Sequence, residues 1–453
     1  MDSAGNMYLP QQSNTADQNE TAGNISKNMV ENRYASGRGD TQYNLKSITC
    51  GELFTLNPDV GEIYVETPPI PLHYGGKTRH ILSTGKANSL TLWEGKSFLK
   101  DADVYSLSTN TVVTYPPMYS PNNAGDYLMW DTNPDHKYLW NRVYYGMMGG
   151  LILTNPSDKK DYIVAFTHGE NKNGTFGPDS HIRYITNTVE PWGSYSQPPD
   201  KTFPRPADYE FDRVYYGAIG MAIAPADEQN GRDLMKHDFG PVVWPSAGYI
   251  DAGNHQICYG PRHPYAISDG VYVYLYYIDD IMTPCFPNPD RVEPGRMFGL
   301  KCARATIADC FSAKFNTFFD GGFHEPALPA NFDKFEHSFV YQKGGRGDIL
   351  LAHPSGSPVV RFACAKIKGT DSYLGLSYDR LKNRILWISK NFTDFTPVYE
   401  LGPSELMYPQ LYNKDFTSTS EIDPEEFYIA GSDGSFEPPR ISCVKMSIDI
   451  EIL

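Results

Sequence analysis

The sequence predicts an all-β protein, and three observations support that fold class. Stretches with alternating apolar residues recur along the chain, Gly, Pro and Asp residues separate them, and amphipathic helical patterns are almost absent. The composition agrees, because 39 Gly, 35 Pro and 13% aromatic residues favour strands and turns. With 453 residues, the chain is long enough to bury a large core in one all-β domain.

One strand pattern occurs twice. The two copies begin at Arg142 and Arg213, 71 residues apart (213 minus 142), and read "RVYYGMMGGLIL" and "RVYYGAIGMAIA". A repeat of this kind predicts a supersecondary unit that is used more than once. We interpret the copies as equivalent strands of successive units, with glycine where packing brings two backbones close together.

A second regularity predicts the number of units. Short alternating strands that end in a turn begin at Ser89, Tyr162, Val271, Asp348 and Glu426. Their intervals, by subtraction of these numbers, are 73, 109, 77 and 78 residues. The long interval contains a stretch rich in Gly, Asp and Asn, which we interpret as an insertion between units. Five units of period-2 strands predict a five-bladed β-propeller over residues 49–453.

The two ends of the chain differ in character. Residues 1–48 are rich in Asn, Gln, Ser and Thr without a strand period, which predicts an extended polar arm that is unfolded on its own. Near the other end, residues 441–450 alternate as a half-buried strand does. We predict that this strand pairs with a segment between Leu45 and Val65 and so closes the propeller.

Charge and composition exclude several classes of function. A formal net charge of -15 without a basic cluster argues against a nucleic-acid partner. No apolar run approaches the roughly 20 residues of a membrane span. The N-terminal residues lack a basic-then-apolar signal pattern, so we expect that a secretion signal has been removed or that export uses another route. We nevertheless expect an extracellular or surface-associated protein. The seven scattered cysteines predict mostly reduced, buried thiols and no zinc site.

Several stretches resemble the blades of five-bladed propeller glycoside hydrolases, the clan that contains arabinanases, β-xylosidases and fructosidases. The likeness covers roughly residues 75 to 453, and the stretches that carry it are "YGAIGMAIAPADEQN", "HDFGPVVWPS", "CYGPRHPYAISDGVYVYLYYIDD", "MFGLKCARATIADC", "FFDGGFHEPALP" and "WISKNFTDFTP". The resemblance implies a site in the central funnel, where the innermost strands begin. It also implies three carboxylates, acting as base or nucleophile, pKa modulator and general acid. The chain departs from the pattern at His263-Pro264, where the clan often has Asp-Pro.

Glycoside hydrolysis needs two carboxyl groups that face the scissile bond, one protonated and one ionised. By analogy with the starts of strands, the candidates are Glu336, Glu325, Glu170 and Asp131. His168 strengthens Glu170, because residues two apart on a strand share a face. The alternative role for each acid is a hydrogen bond within a turn.

Other residues, His168 and His263 among them, are candidates for holding the sugar. Arg262 and Arg304 are able to bind hydroxyls or a carboxylate, whereas their alternative role is an ion pair between blades. Trp130 and Tyr408 are candidates for stacking on pyranose rings, with core packing as the alternative. Asp279 and Asp280 close a strand and suit either structural calcium or a turn cap. No other cofactor and no catalytic metal are expected.

Two hypotheses of function follow. In the first, the protein is a glycosidase, or its inactive descendant, that acts on or binds a poly- or oligosaccharide in the funnel; the sequence favours this hypothesis. In the second, it is a non-catalytic propeller that binds glycans or builds a particle or surface layer, and the polar arm reaches another subunit of a homo-oligomer. His263 is the residue that keeps the second hypothesis open.

Overall fold

The structure is a computed structural model. It describes residues 43–55, 70–84, 89–94, 112–114, 144–172, 214–227, 238–246, 257–279, 299–329, 344–351, 359–379, 381–433 and 440–452. Most of these residues form strands, and the helix that accompanies them, α1, is a single turn at Ile307–Cys310. No helix in these ranges is both long and apolar enough to cross a membrane.

The described strands form five sheets, which are the blades of a β-propeller. Blade 1 contains β2 (Ile70–Tyr74), β3 (Lys77–Thr84), β4 (Ser89–Glu94) and β5 (Val112–Thr114). Blade 2 contains β6 (Tyr144–Thr154), β7 (Asp161–Lys172), β8 (Val214–Pro225), β9 (Asp238–Val243) and β10 (Ile257–Tyr259). Blade 3 contains β11 (Pro261–Ser268), β12 (Tyr272–Asp279), β13 (Gly299–Thr306), β14 (Asn316–Phe319) and β15 (Gly322–Pro326).

The last two blades contain the strands from the C-terminal part of the chain and one from its beginning. Blade 4 contains β16 (Val359–Ile367), β17 (Tyr373–Asp379), β18 (Asn383–Ser389), β19 (Thr396–Pro403) and the short parallel strand β21 (Glu421–Ile422). Blade 5 contains β20 (Leu406–Asn413), β22 (Phe427–Asp433), β23 (Arg440–Ile452) and β1 (Tyr43–Thr55). The predicted fold class, an all-β five-bladed propeller, is therefore confirmed.

The innermost strands are β2, β6, β11, β16 and β20. Each contacts the innermost strand of the next blade along the chain, as β2 does with β6 and β16 with β20. Two apolar clusters fill the space between the sheets. One joins blades 3, 4 and 5, and the other joins blades 2 and 3. The innermost strands thereby define one central axis with a mouth, where they begin, and an opposite end.

The predicted closure of the propeller is confirmed. Strand β1 pairs antiparallel with β23, with Leu45 opposite Ile450 and Thr55 opposite Ser442. Val444, Met446 and Ile448 are buried while Lys445 is exposed, as the alternation predicted. Strand β1 begins at Tyr43, inside the segment assigned to the arm, because Tyr43–Ile48 extends the same ladder. Residues 1–42 lie outside the described part of the chain.

The interpretation of the repeated strand pattern is wrong in one respect. The two copies lie in the same blade, as β6 and β8 on either side of β7, and not in successive blades. Both flank the central strand of a buried sheet, so both carry the same apolar alternation. The expected close approach at glycine is confirmed, since a Cβ added to Gly149 would lie 3.3 Å from the carbonyl oxygen of Pro264.

The unit boundaries also need correction. The strands that begin near Ser89, Tyr162, Val271 and Glu426 belong to four different blades, but the segment from Asp348 is not a strand. Single backbone hydrogen bonds, rather than a strand ladder, join this segment to blade 3. In one of them the amide of Leu350 donates to the carbonyl of Leu300 at 2.9 Å. The stretch interpreted as an insertion between units contains β9, which pairs with β8 and so belongs to blade 2.

The cysteine prediction agrees with the described residues. Four free thiols are buried, at Cys302, Cys310, Cys364 and Cys443, and Cys50 is free and exposed. Burial raises the pKa of the Cys310 thiol to about 12, so that group stays protonated and unreactive near neutral pH.

Candidate functional site

The innermost strands of four blades are irregular near the mouth of the axis. The pairing register shifts between Met147 and Gly149 in β6 and between Val359 and Arg361 in β16. The shifts in β11 and β20 both contain an X-Pro pair, His263-Pro264 and Tyr408-Pro409. His263 and Tyr408 have positive φ angles of 51° and 52°. Such bulges redirect side chains, and here they place these two residues at the axis.

Two imidazole rings and one phenol ring meet there. The ring centroids of His168 and His263 are 5.5 Å apart, at an interplanar angle of 85°. The rings of His263 and Tyr408 are 4.9 Å apart. His263 donates its Nδ1–H to the carbonyl oxygen of Val360 at 2.6 Å. Because that carbonyl only accepts, Nε2 of the neutral His263 ring is the nitrogen that carries the lone pair.

Near these rings, the guanidinium group of Arg361 links several blades. Arg361 of β16 is fully buried and donates to the backbone carbonyls of Pro264 at 3.4 Å and Met148 at 3.2 Å. It also lies 3.5 Å from Oε1 of Gln410. One side chain of blade 4 therefore contacts blades 2, 3 and 5. Arg361 therefore lies among the innermost strands β6, β11 and β20 as well as its own strand β16.

Burial and the nearby cations keep both histidines neutral. Desolvation, followed by the charges of Arg262 and Arg361, lowers the pKa of His263 to about 3. Desolvation also lowers the pKa of His168 well below its usual value, with His263 and Arg262 adding to the effect. At neutral pH the site therefore contains two neutral imidazoles, a phenol and an amide. His263 and Tyr408 are partly exposed and able to exchange hydrogen bonds with a ligand's hydroxyl groups, whereas His168 and Gln410 are buried.

The structure brings four predicted residues together, namely His168, Arg262, His263 and Tyr408. Arg262 is buried, and its Cγ would lie 3.1 Å from a Cβ added to Gly217. The backbone of Glu170 lies in β7 opposite Tyr144, the first residue of β6, and thus at the mouth. Glu336, Asp131 and Trp130 fall outside the described residues.

Two predicted residues lie away from the axis. Glu325 is on β15, the outermost strand of blade 3, where its carboxylate lies 3.6 Å from the guanidinium of Arg346. Arg304 is on β13, and its guanidinium carbon lies 4.2 Å from the ring centroids of both Tyr272 and Phe323. Both residues contact groups of their own blade or next to it. The prediction failed because the sequence pattern identifies a strand but not its distance from the axis.

Asp279, one of the two residues predicted to bind calcium, has protein partners instead. Asp279 is buried and accepts from Nζ of Lys301 at 2.8 Å and from the hydroxyl of Ser246 at 2.5 Å. Asp280 lies outside the described residues. In the described part of the chain, no group of three or more His, Cys, Asp and Glu residues stands close enough together to hold a metal ion. The calcium assignment stays a prediction.

Three buried polar residues were missed by sequence reasoning: Arg361 and Gln410 on innermost strands, and Lys301 on β13, the third strand of blade 3. Arg361 and Lys301 are fully buried charges within apolar strands, "PVVRFACA" and "FGLKCARA". A charge inside an apolar run is a usable signal, since a buried charge needs partners. Gln410 has a weaker signal, because it lies two residues after Tyr408 and thus in the second X-Pro bulge.

Solved structures similar to this chain include glycoside hydrolases. A family 62 α-L-arabinofuranosidase from Coprinopsis cinerea has 12% identity and a TM-score of 0.40, and the match covers 88% of this chain and 96% of that one. A GH43_1 enzyme from Xanthomonas citri has 10% identity and a TM-score of 0.40, over 88% and 90%. A family 117 glycoside hydrolase from Zobellia galactanivorans has 12% identity and a TM-score of 0.35, over 90% of both chains.

These neighbours belong to the class that the sequence resembles. No protein-family model and no curated protein matches the chain. Identities this low carry no assignment of activity, so the chemistry of this site has to come from its own residues.

Proposed function

We propose that the protein binds a poly- or oligosaccharide in the central funnel. The observation that supports this is the convergence of His168, Arg262, His263 and Tyr408 at the mouth of the axis. His263 and Tyr408 are partly exposed there, whereas His168 and Arg262 are buried behind them. A neutral imidazole and a phenol exchange hydrogen bonds with sugar hydroxyls, and the phenol ring adds an apolar face. Ligand sites combine aromatic surface with a few convergent polar groups in this way.

Hydrolysis of the bound sugar would depend on the carboxyl groups that the sequence predicted as catalytic candidates. Glu170 is our first choice for a catalytic carboxyl group, because its backbone lies at the mouth and two residues along β7 from His168. Glu336 and Asp131 are the candidates for the second carboxyl group. A glycosidase needs one of the pair protonated and the other ionised.

One observation favours the alternative, a non-catalytic glycan-binding or assembly propeller. His263 stands at the X-Pro position where the resemblance implies the pKa-modulating carboxylate, and a neutral imidazole supplies no negative charge there. In this alternative the funnel binds sugar without turnover, and an oligomer forms through the polar arm.

The binding proposal is tested with Tyr408→Asn, which removes the ring but tolerates the positive φ angle. Calorimetric titration with plant and algal oligosaccharides should show binding by the wild type and at least a roughly tenfold weaker affinity for the variant. Tyr74→Asn is the control, since Tyr74 is an exposed tyrosine outside the funnel. Absence of binding by the wild type, or equal affinity in all three proteins, would overturn the proposal.

Turnover is a separate measurement. Aryl glycosides and the same oligosaccharides should be hydrolysed by the wild type and not by Glu170→Gln or Glu336→Gln, while both variants keep the wild-type affinity. A wild type that binds without turnover would select the non-catalytic alternative. If both variants remain active, neither glutamate takes part in the mechanism.

A further inference from the structure

A pocket lies at the end of the axis opposite the funnel mouth. Its volume is about 300 Å³. Its walls are Pro71–His73 of β2, Gly150–Leu153 of β6, Ser268 at the end of β11, and the loop Thr417–Ser420 that follows β20. Its lining contains neither Arg361 nor any of the four residues on which the proposed function rests. The pocket is therefore a different site from the one that the proposed function uses.

The hydroxyl-bearing wall is held in place by the protein itself. Asn413 Oδ1 accepts from the amides of Thr417 at 2.8 Å and Ser418 at 3.1 Å. The hydroxyl of Tyr265 donates to the carbonyl of Thr419 at 2.7 Å, and the amide of Lys366 donates to the carbonyl of Ser420 at 2.8 Å. Contacts from three blades fix this loop, so a ligand would not have to order it.

The lining has one polar and one apolar side. Thr417, Ser418, Thr419, Ser420 and Ser268 carry hydroxyl groups, whereas the apolar side comes from Pro71, Leu72, Leu151 and Leu153. The lining residues all belong to the described part of the chain, and none of them is Asp, Glu, Lys or Arg. A neutral ligand with an apolar face and a hydroxyl-bearing edge suits such walls.

Two groups are available to recognise the ligand. Thr417 Oγ1 accepts from Asn413 Nδ2 at 2.9 Å, so the proton of this hydroxyl remains to be donated. His73 is exposed at the rim, and its Nδ1 forms a hydrogen bond with the Thr78 hydroxyl at 2.9 Å. Nε2 is therefore the ring nitrogen that is able to bond to a ligand. A volume of about 300 Å³ is at the lower limit of ligand pockets, the size of one ring and its waters.

We propose that this pocket binds a single neutral sugar ring or cyclic polyol, as a second site independent of the funnel. The occupant would contact blade 1 on one side and the loop after β20 of blade 5 on the other. Binding should therefore also raise the melting temperature, since a ligand that binds only the folded state stabilises it in proportion to its occupancy.

The test uses methyl β-D-xylopyranoside and myo-inositol as probes on the full chain. Saturation-transfer NMR and thermal unfolding should show that the wild type binds at least one probe and that its melting temperature rises with probe concentration. Thr417→Val, which keeps the shape of the side chain and removes the hydroxyl, should weaken binding at least about tenfold. The matched control Thr396→Val, at the exposed start of β19, should bind as the wild type does.

His73→Ala is a second variant, at an exposed position where loss of folding is not expected. Weaker binding in Thr417→Val or His73→Ala, with unchanged binding in Thr396→Val and in the funnel variant Tyr408→Asn, supports the second site. Loss of probe binding in Tyr408→Asn would place the probe in the funnel and overturn the proposal. Absence of binding by the wild type, or equal affinity in every variant, would overturn it as well.

Discussion

At the scale of single residues, buried charges join segments that are far apart in the sequence. Arg361 bonds to the backbone of two other blades, and Lys301 bonds to Asp279 and Ser246. Their partners come from distant parts of the chain, which is why no local pattern identified the pairs. Removing one member of such a set leaves the others buried without their partner, and this costs more than the contact itself contributes.

The burial of His263, with the charges of Arg262 and Arg361 beside it, makes the stability depend on pH. In the unfolded chain His263 has an ordinary pKa near 6.5, and in the fold its pKa is about 3. Above pH 6.5 the residue is neutral in both states, so it adds no pH dependence. Between pH 6.5 and pH 3 only the unfolded chain takes up the proton, and the free energy of unfolding should fall by about 1.4 kcal/mol per pH unit for this residue.

His263→Asn isolates this effect, because asparagine tolerates the positive φ angle and does not titrate. Urea denaturation of the wild type and the variant, measured from pH 8 to pH 4.5, should give parallel stability curves above pH 7 and a steeper decline for the wild type below about pH 6. Equal slopes over the whole range would contradict the assignment of a neutral, buried His263.

At the scale of elements, the approach of β11 to blade 2 positions the histidines. Gly217 of β8 lies where a Cβ would be 2.8 Å from the carbonyl oxygen of Pro261 and 3.2 Å from Nε2 of His168. Backbone atoms cannot yield as a flexible side chain does. The absence of a side chain at Gly217 therefore sets how closely Arg262 and His263 approach His168.

Gly217→Ala should destabilise the protein by about 1–3 kcal/mol, because the added methyl group forces β8 and β11 apart. Gly150→Ala is the matched control, since its added Cβ would have its nearest neighbour at 3.5 Å, an ordinary contact. Its effect should be within about 1 kcal/mol in either direction. Equal unfolding midpoints for Gly217→Ala and the wild type would show that β11 lies farther from β8.

Strands were predictable from the sequence, but their places in the sheets were not, apart from the pair that closes the ring. The alternation in residues 441–450 predicted a strand, its buried face and its partner, because closing the ring constrains the two ends of the chain. The patterns around Arg142 and Arg213 predicted two strands but not that both flank β7. Likewise, Glu325 and His263 have equally plausible sequence contexts. Only the order of the strands within blade 3 separates the outer edge from the axis.

At the scale of the whole molecule, closure rests on the ladder between β1 and β23. Deletion of the last ten residues removes Val444, Met446 and Ile448 from the core, together with the backbone bonds to both neighbouring strands. Full burial of each side chain contributes about 1.5–3 kcal/mol, so the loss should reach several kcal/mol.

Denaturation by urea and the melting temperature measure this loss. An N-terminal truncation that ends before Tyr43 is the control, because it leaves the ladder intact and removes a segment with too little apolar surface to form a core. Its midpoint should stay close to that of the full chain. An unchanged midpoint after the C-terminal deletion would exclude this mode of closure.

The ladder also has a consequence for biosynthesis. Strand β1 is synthesised before its partner β23, which ends at Ile452. The edge of β1 therefore stays unpaired while about 400 further residues are added. At roughly 5–20 residues per second that wait lasts about 20–80 s, during which a nascent strand is able to pair with the wrong chain. Lys46 and Glu52 are exposed on β1, and charged side chains on an unpaired edge discourage such pairing until the last strand is synthesised.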